Sequence, residues 1–191
     1  MTVRAAVFVS GSGTNLEALL KRQEAGDLQA QIVTVISDNP DAFGLQRAAS
    51  HGIPAHYVPA RGRPKAEYET EVLHILQEAG VEMIILAGYM RFVGPTLLNA
   101  WPGAILNIHP AYLPEFPGAH GIRDAWEAGV KETGVTVHYV DEGVDTGPVI
   151  LQERVPVPET GGLEAMEAAV HAKEYDLFWR AVNKAVSHQQ K

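Results

Sequence analysis

The chain has no cysteine, which removes disulfides, thiolate nucleophiles and thiolate metal ligands together. No apolar run approaches the roughly 18 residues that a membrane-spanning helix needs. Basic residues are scarce: 15 Lys and Arg stand against 23 Asp and Glu, for a formal net charge of -8. A duplex-binding surface needs clustered cations to neutralise phosphates. The tightest grouping here is Arg61, Arg63 and Lys65 in one short loop, enough for one small anion. The N-terminal residues lack the basic, apolar and small-residue order of an export signal. Together these absences lead to the expectation of a cytoplasmic protein that engages neither nucleic acid nor membrane. What is present suits one ordinary domain: 191 residues, 46% hydrophobic and 20% charged, long enough to bury a large core.

Strand and helix patterns alternate along the chain. Arg4 to Ser10, Gln31 to Ile36, Ala55 to Val58, Glu82 to Ala87 and Ala104 to Ile108 read as strands. Thr14 to Ala25, Phe43 to Ser50 and Lys65 to Ala79 read as the helices between them. This order implies a parallel sheet with helices on both faces. Gly134 to Val140 and Pro148 to Val155 alternate more cleanly, as strands with one wetter face would. Leu163 to Val186 closes the chain as a helix. The expected fold is a single α/β domain in which a Rossmann-like parallel sheet continues into a mixed sheet. No repeat or polar linker divides it.

Three stretches carry chemistry. In VSGSGTNLEALL (residues 9–20), Gly11-Ser12-Gly13 follows a strand and opens a helix. Unpaired N–H groups and the helix dipole favour an anion there, and glycines let its oxygens approach the backbone. A dinucleotide fingerprint would place Gly or Ala at Leu16, and a P-loop would need Lys followed by Ser or Thr; a single phosphate fits better. Thr14 and Glu17 also satisfy a capping box, with Thr14 as N-cap. In LNIHPAYLPEFPGAHG (residues 106–121), Asn107 and His109 lie two apart at a strand's carboxyl end, on one side of the sheet. An amide beside an imidazole offers the two directed hydrogen bonds that a developing oxyanion requires. In VDEGVDTGPVIL (residues 140–151), Asp141 and Glu142 read as solvated turn residues. Asp145 stands nearer the returning strand, where it could reach the imidazole and favour its charged form. His51, His56, His74 and His188 have no motif context and read as ordinary packing or surface residues.

SGSGTNLEAL, AGYMRFV, LNIHPAYLP and HYVDEGVDTGPVILQ together resemble the phosphoribosylglycinamide formyltransferases, folate-dependent enzymes of purine synthesis. The likeness spans nearly the whole chain. It implies formyl transfer from 10-formyltetrahydrofolate, a cosubstrate, to the glycine amine of glycinamide ribonucleotide, without a metal. Asn107, His109 and Asp145 would be catalytic. Gly13, Thr14 and Asn15 would hold the phosphate, while His171 and Glu174 would meet the ribose and glycinamide end. Lys65, Leu86, Met90, Arg91, Phe92, Val93, Asn107, Asp141 and Val144 would line the folate site. At Lys65 family members can carry Arg, so a bidentate fork for the folate's glutamate tail is lost. Residues 1–100 would form the phosphate half and residues 101–191 the catalytic and folate half. The resemblance also implies that Asn107 and protonated His109 donate to the oxyanion, with Asp145 holding His109 charged through water. Association of copies stays open.

Two other classes compete. A hydrolase could build a metal site from His109, His120, His138 and Asp145, although no compact ligand spacing supports one. A non-catalytic nucleotide-binding module would use Gly11 to Asn15 alone and leave the Asn107, His109 and Asp145 set without a purpose.

Overall fold

The computed structural model describes residues 2–191. Strand β1 (Val3–Val9) leads into helix α1 (Thr14–Glu24), followed by β2 (Ala30–Ser37), α2 (Phe43–Ser50), β3 (Ala55–Tyr57), α3 (Lys65–Glu78) and β4 (Met83–Leu86). Next come α4 (Pro95–Ala100), β5 (Ile105–His109), α5 (Gly121–Glu127), β6 (Glu132–Tyr139), β7 (Val149–Pro156) and α6 (Gly162–Gln189). The seven strands form one sheet in the order β3-β2-β1-β4-β5-β6-β7. Pairing is parallel from β3 through β5 and antiparallel for β6 and β7. The expected α/β domain with a mixed sheet is therefore present.

Alternation along the central strands builds two cores. Ala5, Val7 and Val9 of β1 face α1 and α6, where Leu16, Leu19, Leu20, Leu177 and Phe178 are buried with them. Ala6 and Phe8 face the opposite side and pack with Tyr68, Val72 and Leu76 of α3, with Leu97 of α4 and with Trp101 just after it. Both faces of the parallel strands are thus covered, as their near-continuous apolar runs require. Among the described residues, no helix is long and apolar enough to cross a membrane.

Three details differ from the sequence reading. Helices α4 and α5 were not expected; α4 begins with Pro95 at a first-turn position, where a missing N–H costs nothing. Strand β6 has no wetter face, being buried at every position from Thr133 to His138. Its Val135 and Val137 belong to the α6 core, while Thr136 on the other face accepts the Leu113 N–H and donates to Ala111 O. The segment after β5 supplies that cover. Finally, there is no Thr14 capping box: Gly13 is the N-cap, in a left-handed conformation with φ 69°, and no side chain caps the helix. Glu17 turns instead to Arg47 and His51.

Candidate active site

The strand order reverses between β1 and β4, since β2 continues on one side of β1 and β5 lies beyond β4. Ligands of open α/β sheets bind outside the strand carboxyl ends at such a switch point. A cleft of about 1040 Å³ opens there. The turn after β1, the loop after β4, the end of β5, the β6–β7 loop and one face of α6 all contribute to its wall.

At one end lies the glycine turn. Gly11 and Ser12 are exposed, and an added Cβ on Gly11 would meet no atom within 4 Å. Gly13 is also held by packing. A Cβ there would come within 2.6 Å of Gly44 Cα, so Gly13 is bare because the turn packs on α2. Its φ of 69° also favours glycine. Arg47 of α2 supports the turn from behind, its Nε donating to Ser12 O at 2.7 Å. Asn15 lies on the first turn of α1, and its Nδ2 donates to Glu174 Oε2 at 3.3 Å, whereas its buried Oδ1 has no hydrogen-bond partner. His171 Nδ1 lies 2.8 Å from the same Glu174 oxygen. That contact raises the His171 pKa, against the opposing effect of burial. The helical ion pair and the cleft wall are thus one feature.

The far end is the loop after β4. Met90 and Phe92 are 70% and 68% exposed, unusual for such large apolar side chains standing together. Lys65 Nζ donates to Phe92 O at 3.1 Å. Arg91 lies over the Tyr68 ring and 4.0 Å from Asp38. Leu86 and Val93 lie deeper in the same wall, and Asp141 and Val144 face them across the opening. Asp141 accepts hydrogen bonds from Thr146 Oγ1 and the Gly143 N–H, which lower its pKa and brace its own loop.

Between the ends stands the polar centre. Antiparallel pairing sets Asn107 of β5 opposite His138 of β6 and His109 opposite Thr136. Odd-numbered β5 residues and even-numbered β6 residues share the sheet face turned away from the α6 core. Asn107 Nδ2 lies 3.3 Å from His138 Nε2, while His138 Nδ1 donates to Tyr139 O at 2.8 Å. Asp145 reaches in from the β6–β7 loop and stands 3.5 Å from both His109 Nδ1 and His138 Nε2. His138 was considered only as a metal ligand, yet it completes this centre. Its signal in the sequence was alternation along β6, legible only once the β5–β6 register is known.

Burial pushes the Asp145 carboxyl up, but the His138 contact, the Gly118 N–H and the His109 charge outweigh it and hold its pKa below the ordinary value. Asp145 has φ 53° and Phe116 φ 49°, left-handed values that non-glycine residues adopt only when held. Each is held by its part in the site. Asp145 Oδ2 accepts the Gly118 N–H at 2.8 Å, and Phe116 O lies 2.7 Å from His109 Nε2. Gly121 leaves room for the imidazole, since a Cβ there would stand 3.2 Å from His109 Nε2. Among the described residues, no three His, Asp or Glu side chains are grouped to hold a metal ion.

The sequence profile described as Formyl transferase matches residues 3–182. A phosphoribosylglycinamide formyltransferase of Bacillus subtilis is 43% identical over 174 residues, covering 91% of this chain and 89% of that protein. The trifunctional purine biosynthetic protein adenosine-3 of Drosophila pseudoobscura pseudoobscura is 44% identical over 94% of this chain, which spans only 13% of that longer protein. The crystal structure of phosphoribosylglycinamide formyltransferase from Bacillus halodurans superposes with a TM-score of 0.92 at 47% identity, covering 96% of this chain and 95% of that one. With its glycine turn, its Asn-His-Asp centre and a family match over nearly its whole length, the chain belongs to the formyl transferase family.

Proposed function

We propose that this chain transfers the formyl group of 10-formyltetrahydrofolate to the glycine amine of 5'-phosphoribosylglycinamide, a step of purine biosynthesis, and that it does so in the cytoplasm. The observation that carries this reading is convergence. An anion-seeking turn, an apolar loop and an Asn107, His109 and Asp145 centre occupy two ends and the middle of one cleft.

Gly11 to Asn15 would take the phosphate, and Glu174 with His171 the ribose and glycinamide. The unpartnered Asn15 Oδ1 supports a polar ligand there, because a buried acceptor without a donor is costly. Leu86, Lys65, Met90 to Val93, Asp141 and Val144 would hold the folate, the exposed apolar side chains closing on its ring.

The amine nitrogen attacks the formyl carbon, and the carbonyl oxygen takes up the electron pair. Asn107 Nδ2 and a protonated His109 donate to that oxyanion. Collapse breaks the bond from carbon to the folate nitrogen, and the proton lost by the amine is delivered to that nitrogen. Asp145, in contact with His109 and His138, offsets the imidazolium charge and relays the proton. No covalent enzyme intermediate is needed. The test is a formyl-transfer assay with both substrates beside a water-only control. Formylated ribonucleotide with little free formate supports the reading; formate release independent of ribonucleotide overturns it in favour of a hydrolase.

A further inference from the structure

The loop that would hold the folate has no strand partner at Met90 to Gly94, yet two of its amides are tied down by side chains from opposite sides. The Met90 N–H donates to Ser10 Oγ at 2.9 Å, and the Gly94 N–H donates to Glu69 Oε2 at 2.8 Å. Ser10 directly follows β1 at the start of the glycine turn, and its hydroxyl donates onward to Asp38 Oδ1 at 2.7 Å. Glu69 sits in α3 with only 2% of its surface exposed. Its second oxygen, Oε1, is buried without a hydrogen-bond partner.

A buried carboxyl in an apolar helix face is costly unless its contacts compensate, and a Leu would suit the surrounding core. Burial pushes the Glu69 carboxyl up, against the Gly94 N–H and the Lys65 charge. Its one hydrogen bond goes to the loop. Gly94 is shaped to receive it, since a Cβ there would fall 2.4 Å from Glu69 Oε1 and 2.7 Å from Lys65 Cδ. Between the two anchors stand the exposed Met90 and Phe92 side chains.

We infer that Glu69 and Ser10 are positioning residues that fix the backbone of Met90 to Gly94 in the shape that grips the folate. This rests on the function proposed above. Neither residue needs to touch the reacting atoms. Ser10 also ties the loop to β1, so it sets the distance between the folate end of the cleft and the phosphate end.

The test is steady-state kinetics of Glu69→Leu, Glu69→Gln and Ser10→Ala, with amide hydrogen exchange at Gly94 and Met90. Glu69→Leu strands the Gly94 N–H and should raise the KM for 10-formyltetrahydrofolate about tenfold, the usual order for one lost buried acceptor. Turnover and the KM for the ribonucleotide should stay within about threefold. Glu69→Gln keeps an acceptor and should recover most of the folate affinity. Ser10→Ala should raise the folate KM and lose protection at Met90 rather than Gly94. An equal rise in both KM values, or a Gln variant no better than Leu, overturns the positioning role. A parent chain with no formyl transfer overturns the function itself, and an active parent with unselective variants overturns this inference alone.

Discussion

Asp145→Asn isolates the charge at the centre of the site. The replacement keeps the size of the side chain, and its amide oxygen can still accept the Gly118 N–H that the carboxylate holds at 2.8 Å. What disappears is a negative charge 3.5 Å from His109 Nδ1 and 3.5 Å from His138 Nε2, on a side chain only 12% exposed. Coulomb's law with an effective dielectric constant near 20 gives about 5 kcal/mol for such a pair. Solvent access and the surviving hydrogen bonds reduce that to about 3 to 4 kcal/mol in the imidazolium-bearing transition state, a loss of about 10²- to 10³-fold in turnover. The assay is kcat as a function of pH for the parent, Asp145→Asn and Asp141→Asn. Asp141 is an exposed neighbour in the same loop whose hydrogen bonds are internal to it, so its variant should lose less than about tenfold. The Asp145 pKa is lowered in the folded chain, so its stabilising contribution is present above the ordinary carboxylate range and lost as pH falls through the depressed value. Parent and Asp145→Asn melting temperatures should therefore converge in acid. Turnover of Asp145→Asn equal to the parent's at every pH would refute the proton route through this residue.

Asn107→Ala should lower kcat by about a hundredfold or more, the usual cost of one oxyanion donor, with an unchanged melting temperature; near-normal turnover would remove Asn107 from the mechanism. Gly13→Val should destabilise the protein by about 2 kcal/mol or more, through the clash with Gly44 and the positive φ, measured by urea unfolding. Gly11→Val meets no neighbour, so it should weaken ribonucleotide binding while leaving stability and folate binding intact; loss of both ligands would contradict the phosphate assignment. His51 touches Glu24 and Glu17 through its two ring nitrogens, contacts that raise its pKa. Its stabilising effect should thus be fully present below about pH 6.5 and vanish as pH rises through the raised value. The gap in melting temperature between the parent and His51→Gln should close in the same direction.

Local pattern carried most of the fold. Strands such as β1 and β4 are buried on both faces, so their apolar runs stand out, and α2 was bounded correctly at Phe43 and Ser50. Helices α4 and α5 span six and seven residues, too short for a periodic stripe to emerge from a proline-rich loop. The Thr14 box failed because its residue types were right but the left-handed Gly13 had already taken the cap position. At the site, Asn107 and His109 share a strand, and their spacing alone gave their common side. His138 meets Asn107 only through a register 31 residues distant, which no local signal encodes. The Glu69 hydrogen bond to the Gly94 N–H was equally hidden, since a Glu on a helix normally reads as solvated.

The Phe116 carbonyl can only accept, so His109 Nε2 must carry the hydrogen it gives at 2.7 Å. In the reaction proposed above, a substrate oxygen and Phe116 O would draw on that same hydrogen. Phe116 O, seven residues along the chain, is thus a built-in alternative partner for the imidazole. The left-handed backbone at Phe116 matters to that balance. A left-handed non-glycine residue costs about 1 kcal/mol, which is set against the hydrogen bond its carbonyl makes. Backbone strain at one residue thus accompanies the contact that occupies His109 Nε2.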